Sequence, residues 1–352
     1  MSIAGTRGYV SLGYQAAKGT AATSANKKRI YAFEENFAPQ EMIDSLPIEL
    51  SGKLFPNHTY KNGVYGAGTM RLSPRLGDSI GYLLYGTTGV HTVAPTGNAS
   101  YKHTFKVDDT NQANLPWCTF ERYVPDSTGT QGFQERFEDA RIVTTSFTYG
   151  NVGPALCEVG AISRKAGVAV DDETNSPIVS ALDTGDTLAM SCAGSFTSSI
   201  TELSAAKFMQ VQIVNTIQYT QPNDAQVFGS YYLEDLVALG RSGTVRLIAN
   251  LDDKHLYQKL VYGGTGVQSW TPVVTTGDLS ITIASAGNMS GETIPYSAKF
   301  SAPNVKFVAG RMALSPAKLV RLEIMAQINN SATSTPTYSW DVTNQVASYT
   351  FS

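Results

Sequence analysis

The sequence predicts a mainly-β protein built from two tandem β-sandwich or β-barrel domains, each with one short flanking α-helix. Three observations carry this. Hydrophobic residues make up 42% of the chain and charged ones only 16%, with Ser, Thr, Gly, Val and Tyr abundant, a composition suited to half-buried pleated strands. Period-2 alternation outweighs helical spacing. Finally, one strand-to-helix passage is spelled twice: GTMRLSPRLGDSIGYLLYGTTGV from Gly68 to Val90, and GTVRLIANLDDKHLYQKLVYGGTGV from Gly243 to Val267.

The strands read as follows. In LVRLEIMAQI, Val320, Leu322, Ile324, Ala326 and Ile328 alternate with Arg321, Glu323, Met325 and Gln327, a strand with one dry and one wet face. KFMQVQIVN sets Met209, Val211 and Ile213 against Gln210, Gln212 and Val214. DLSITIAS places Leu279, Ile281 and Ile283 on one face, and RIVTTSFTY places Val143, Thr145, Phe147 and Tyr149 on one face. QVASYTF at the C-terminus reads as a further short strand.

Two helices are expected, one in each copy of the repeated passage. In the first, Ser73 suits the N-cap and Pro74 the first helical position. Leu76, Ile80, Leu83 and Leu84 form the apolar stripe, and Gly86 ends it. In the second, Asn250 caps, Asp252 and Asp253 sit where the helix dipole favours acids, Leu256 and Leu260 form the stripe, and Gly263 ends it.

The repeat extends beyond this passage. Arg71 aligns with Arg246 and Tyr85 with Tyr262, with two residues gained between. Downstream, Asp139 aligns with Asn304, Val143 with Val308 and Glu158 with Glu323. Upstream, a long turn-rich segment precedes each copy. Three blocks in one order predict a tandem duplication: a domain over 1–166, a linker over 167–186 and a second domain over 187–352. A period of roughly 175 residues lies far outside the ~20–50 of solenoid repeats, and the length of 352 residues fits two domains of ordinary size.

Bulk properties exclude several functions. The net charge is −3, and the densest basic stretch is Asn26-Lys27-Lys28-Arg29, so no phosphate-gripping face is expected. Cys118, Cys157 and Cys192 fit no zinc spacing and no disulfide framework, and read as buried free thiols. The N-terminus shows no signal peptide, and no apolar run is long enough to cross a membrane. His91 and His103 flank a loop rather than forming a ligand set. The Gly263–Gly266 run follows a helix, so it reads as a C-cap and turn rather than a phosphate cradle. Glu34–Glu35 and Asp171–Glu173 read as solvated acids. No nucleophile–base or paired-carboxylate constellation is visible, so no catalytic, cofactor or metal residues are assigned and no enzyme activity is expected.

The N-terminal VSLGYQAAKGTAAT, with Gly13, Tyr14, Gly19, Thr20 and Ala21, is followed by FEENFAPQEMIDSLP, the Gly-Thr-X-Arg-Leu strand, a short helix and FEDARIVTTSFTYG. In that order, these elements resemble the tail tube (major tail) proteins of long-tailed bacteriophages over most of residues 8–165. Many members of that family carry one tube domain and form hexameric rings; this chain reads as two tail-tube-type domains. The resemblance therefore implies a virion protein. Three chains would make a pseudo-hexameric ring, and rings would stack into the hollow tail tube through which double-stranded DNA passes without specific binding. It also implies tape measure, tail terminator and distal tail proteins as partners. The long loops would carry ring-to-ring contacts through Leu46, Leu50, Leu54, Phe55, Tyr60, Tyr219, Phe228, Tyr231 and Tyr232; the alternative is that these pack back on their own sandwich. The wall of the channel is expected to be polar and acidic. Gln210 and Gln212, or Arg321, Glu323 and Gln327, are candidates for the lumen or the outer wall. Two other classes remain open from sequence: a tandem β-sandwich carbohydrate-binding or adhesin-like module, and a tail-associated hydrolase.

Overall fold

The computed structural model of the chain describes residues 8–23, 26–45, 55, 58–97, 99–107, 115–125, 132–150, 152–169, 187–251, 254–267, 269–270, 274–308, 311–313, 319–331, 336–349 and 351. They form a mainly-β, antiparallel structure. The first half runs β1 (Tyr9–Tyr14), β2 (Lys27–Ile30), β3 (Ala32–Glu35), β4 (Ala38–Ser45), β5 (Thr59–Leu72), α1 (Ser79–Thr88), β6 (Val90–Pro95), β7 (Tyr101–Lys106), β8 (Cys118–Pro125), β9 (Gly132–Gly150) and β10 (Leu156–Ala169). The second runs β11 (Met190–Ser198), α2 (Thr201–Ser204), β12 (Phe208–Tyr219), α3 (Pro222–Ala225), β13 (Ala238–Asn250), α4 (Lys254–Tyr262), β14 (Thr275–Asn288), β15 (Pro295–Val308), β16 (Met312–Ala313), β17 (Arg321–Ile328) and β18 (Ser339–Asn344). Of the segment expected as a linker, 167–169 belong to β10 and 170–186 lie outside the described residues.

Strand pairing repeats between the halves. In the first, β1 pairs β8, β8 pairs β9, β9 pairs β10, β10 pairs β5, and β5 pairs β3 and β4. In the second, β11 pairs β14, β14 pairs β15, β15 and β16 pair β17, β17 pairs β13, and β13 pairs β12. Registers match as well. Leu72 opposite Cys157 corresponds to Ala249 opposite Leu322, and Gly66 opposite Ser163 to Gly243 opposite Ile328. Ala140 opposite Ser163 corresponds to Val305 opposite Ile328. This keeps Glu158 equivalent to Glu323 but moves one expected match. The place of Arg71 is taken by Ile248, and Arg246 sits two residues earlier, opposite Met325. Gly66 to Gly243 and Tyr85 to Tyr262 are displaced equally, so no residues are gained between strand and helix.

The halves meet where β9 pairs β12 and where β7 pairs β18. One apolar core runs through both, from Leu12, Met70 and Phe120 to Leu247, Phe300 and Ile324. A smaller cluster of Leu115, Ile217, Tyr219, Ala225, Leu233 and Leu236 sits beneath the loop that follows β12.

Several local expectations hold. Leu322, Ile324, Ala326 and Ile328 are buried together, as are Leu279, Ile281 and Ile283. Gly263 directly follows α4 with a positive φ of 79°, a conformation glycine adopts without a Cβ penalty. Cys118 and Cys157 are buried free thiols, and burial raises their pKa well above the ordinary thiol value; the side chain of Cys192 lies outside the described set.

Others are corrected. Helix α1 starts at Ser79 with Asp78 at the N-cap, not at Ser73 and Pro74, because Arg75 bridges Leu188 and Leu76 N–H donates to Thr187 O. Leu76 is still fully buried. Gly86 lies inside the helix, which ends at Gly89 with φ 76°. A Cβ on Gly86 would fall 2.3 Å from Ile142 Cδ1, so its role is close packing. Asn250 ends β13 instead of capping α4, and Asp252 and Asp253 lie outside the described residues. Val143 leaves the face it was expected to share with Thr145, Phe147 and Tyr149. A bulge where Gly160 faces Thr144 and Ala161 faces Ile142 skips it, turning Ile142 inward instead. The described residues of the C-terminal QVASYTF, 345–349 and 351, form no strand. Asn344 Oδ1 accepts from Val346 N–H, and Val346 O accepts from His103 Nε2 at 2.7 Å, so both backbone groups of Val346 are taken by side chains. The segment lies as a strap across α1, with Phe351 stacked on Tyr85 at 3.9 Å between ring centroids.

Candidate assembly surface

The pairing of β9 with β12 makes one curved sheet continuous across the two halves. A single register row crosses eight strands: Glu34, Arg71, Glu158, Ser146, Val214, Thr244, Gln327 and Lys306, each opposite the next. Because side chains alternate between faces, this row and its neighbour, Leu156, Thr148, Gln212, Arg246, Met325 and Val308, share the wet face. Met70, Cys157, Phe147, Ile213, Leu247 and Ile324 line the dry one. Charges on the wet face are balanced. Arg71 pairs with Glu34 at 3.5 Å and Arg246 with Glu323 at 2.5 Å, while Glu158 and Lys306 are exposed. All five lumen-or-outer-wall candidates, Gln210, Gln212, Arg321, Glu323 and Gln327, lie on this face.

At the joint itself Ile213 lies opposite Phe147, Gln212 opposite Thr148 and Val214 opposite Ser146. Phe147 is 1% exposed and its ring meets Trp340 at 5.0 Å. Gln212 Nε2 donates to Ser146 Oγ at 3.0 Å. The interior of the joint is therefore apolar at Ile213 and Phe147 and polar at the next buried pair, Asn215 opposite Thr145, and its wet side carries a side-chain hydrogen bond.

A second anchor between the halves is Asp139. It is fully buried with φ 51°, a left-handed conformation that Asp tolerates better than most residues. Its Oδ1 accepts from Gly19 N–H and its Oδ2 from Arg164 Nη1, each at 2.6 Å. Arg164 Nε in turn donates to Leu233 O in the second half at 2.7 Å. Sequence alignment found the position through Asn304 but not this role, which depends on groups far apart in the chain.

The loop residues divide. Tyr219 is buried, and its hydroxyl donates to Ile142 O at 3.3 Å, so it packs on its own core. Phe55, Tyr60, Phe228, Tyr231 and Tyr232 are exposed, Phe228 completely. Leu46, Leu50 and Leu54 lie outside the described residues. The structure brings the two loops together: Val64 N–H donates to Tyr231 O at 2.9 Å, and Gln226 Nε2 donates to Asn62 O. Glu35 is mostly buried, its Oε1 accepting from Phe37 N–H at 2.7 Å and lying 3.7 Å from Arg122 Nη1, whereas Glu34 is exposed; Asp171–Glu173 lie outside the described residues.

His91 and His103 do come together. His91 Nε2 lies 2.9 Å from His103 Nδ1, and His103 Nε2 bonds Val346 O, so three of the four ring nitrogens are engaged within the fold. Burial first, and then the neighbouring His103, lower the His91 pKa to about 4; burial also lowers that of His103. A folded pKa below the unfolded value of ~6.5 means that the unfolded chain takes up the proton more readily. The contribution is complete above pH ~6.5 and is lost as pH falls through about 4. Replacing His91 with Gln, which does not titrate, should flatten the loss of thermal stability between pH 6.5 and 4, followed by melting temperature across that range; an unchanged slope would refute it.

Among the described residues, no helix is long and apolar enough to cross a membrane, and no cluster of three or more His, Cys, Asp or Glu side chains is placed to hold a metal. No protein-family model matches the chain, and no curated protein matches it.

Proposed function

We propose that this chain is a self-assembling structural protein of the tail tube type. Three copies close into a pseudo-sixfold ring, and the rings stack into a hollow conduit for DNA in a phage tail. Tape measure, tail terminator and distal tail proteins are its partners. The observation that carries this reading is the repeated pairing order, in matching register, within one continuous sheet. A chain that joins two equivalent units side by side holds one copy of a joint that rotation can repeat, and a heterologous joint that closes by rotation makes a ring. Ring closure also leaves no sheet edge open to runaway pairing.

We assign the wet face of the continuous sheet to the lumen. Its charges are balanced instead of acidic, unlike the wall expected from the family resemblance. Small polar groups such as Ser146, Thr148 and Thr244, with balanced charges between them, present no basic track to phosphates, so DNA slides past. The exposed aromatic cluster of Tyr60, Phe228, Tyr231 and Tyr232 is placed at the ring-to-ring contact.

Native mass spectrometry and negative-stain microscopy of the concentrated protein test this. Three-chain rings and stacked tubes are expected. A strictly monomeric mass, with no ring at any concentration tried, overturns it.

A further inference from the structure

The joint inside the chain predicts the joint between chains. In the second half, β12 pairs β13 on one side and β9 on the other. Its counterparts in the first half, β3 and β4, pair only β5 among the described strands. On the far side of the sheet, the C-terminal part of β9 is flanked by β10 and β12. Its counterparts, Val308 and β16, pair β17 and have no described strand beyond them. The fold thus leaves open the two edges that its own middle joins.

Backbone directions agree with this. Asn36 N–H donates inward to Thr69 O, so the backbone groups of Glu35 and Phe37 point outward. Glu323 N–H donates to Arg311 O, so those of Met312 point away from β17. Acids Glu34, Glu35, Glu41 and Asp44 lie along the first edge, the first three paired within the chain to Arg71, Arg122 and Lys61, and Lys306, Arg311 and Arg321 lie near the second.

We propose that the β3–β4 edge of one copy pairs antiparallel with the edge made by Arg311, Met312 and Ala313 in a second copy of this chain, in the register of the internal joint. Transferring Ile213 opposite Phe147 through the matched registers places Phe37 opposite Met312. Val214 opposite Ser146 places Ala38 opposite Arg311, and Gln212 opposite Thr148 places Asn36 opposite Ala313. The inference rests on the self-assembly reading and specifies its contact. It also explains two features of the open edge. Glu35 Oε1 holds the outward N–H of Phe37, and Pro39, at the next outward position, has no N–H. Both blunt the edge against indiscriminate pairing, so that pairing depends on release of the Glu35 carboxylate from Phe37 N–H.

The test is a disulfide. Ala38 and Arg311 would form a pair without backbone hydrogen bonds between them, with Cα atoms about 4.5 Å apart, within the ~4.4–6.8 Å that a disulfide spans. Chains carrying both A38C and R311C should give, under mild oxidation, a non-reducing ladder that stops at covalent trimers. A38C with R321C, one strand farther in, should stay unlinked. Assemblies of normal mass without the A38C–R311C link would overturn this joint while leaving self-assembly intact. A monomer that neither assembles nor cross-links would overturn both.

Discussion

Replacing Glu121 with Leu should cost about 3–5 kcal/mol, among the largest losses open to a single substitution. Glu121 is 1% exposed on β8. Its Oε1 accepts from Lys27 Nζ at 2.7 Å and from Arg136 Nε at 2.5 Å, and its Oε2 accepts from Gln134 Nε2 at 3.0 Å. Lys27 is itself 5% exposed. Removing the carboxylate strands an ammonium in the sandwich, and an uncompensated buried charge is what makes such losses large. Arg136 suffers less, because Glu138 lies 3.6 Å away. The charge explanation is separable from packing: adding K27M to E121L removes the stranded cation and should restore most of the loss. Urea denaturation of wild type, both single variants and the double closes the cycle. Equal stability of E121L and the double variant would show that packing, not charge, carries the cost.

None of that network was visible in the sequence. Lys27 stood out only as part of a basic run, and Glu121 not at all, because their contact joins residues brought together by β1 between β2 and β8. What sequence does report is local. A strand with one wet face must alternate, so β17 and β14 were legible residue by residue. A bulge breaks that rule without a compositional signal, which is why Val143 was misplaced. Helix starts failed for a related reason. Ser73 and Pro74 have the right chemistry, but a bridge from Arg75 to Leu188, far along the chain, decides where α1 begins.

The duplication was the most informative long-range signal, and its limit is instructive. Matching words placed Arg71 on Arg246, yet matching hydrogen-bond registers place Arg71 on Ile248. Letters drift within a strand while register is held by the core face. The same argument explains why the assembly edges could not be read from sequence. An open edge and a paired one carry similar residues; what separates β4 from β12 is whether another strand lies beside it.

The substitution Phe147→Ala tests the internal joint and should cost about 3–5 kcal/mol. Phe147 is the innermost side chain of β9 where it pairs β12; it lies opposite Ile213, and Trp340 of β18 closes over it. Its loss leaves a cavity where β9, β12 and β18 converge, so neighbouring groups have little freedom to collapse. The consequence should also be local. Backbone amides of Ile213 and Asn215, which face Phe147 and Thr145, should lose hydrogen-exchange protection before those of β5 and β10, whose pairing lies within the first half. Phe120→Ala, equally buried but remote from the joint, should cost as much without that selective loss. If the two variants unfold alike and exchange alike, the β9–β12 pairing is not a separable joint, and using it as the template for contacts between chains fails with it.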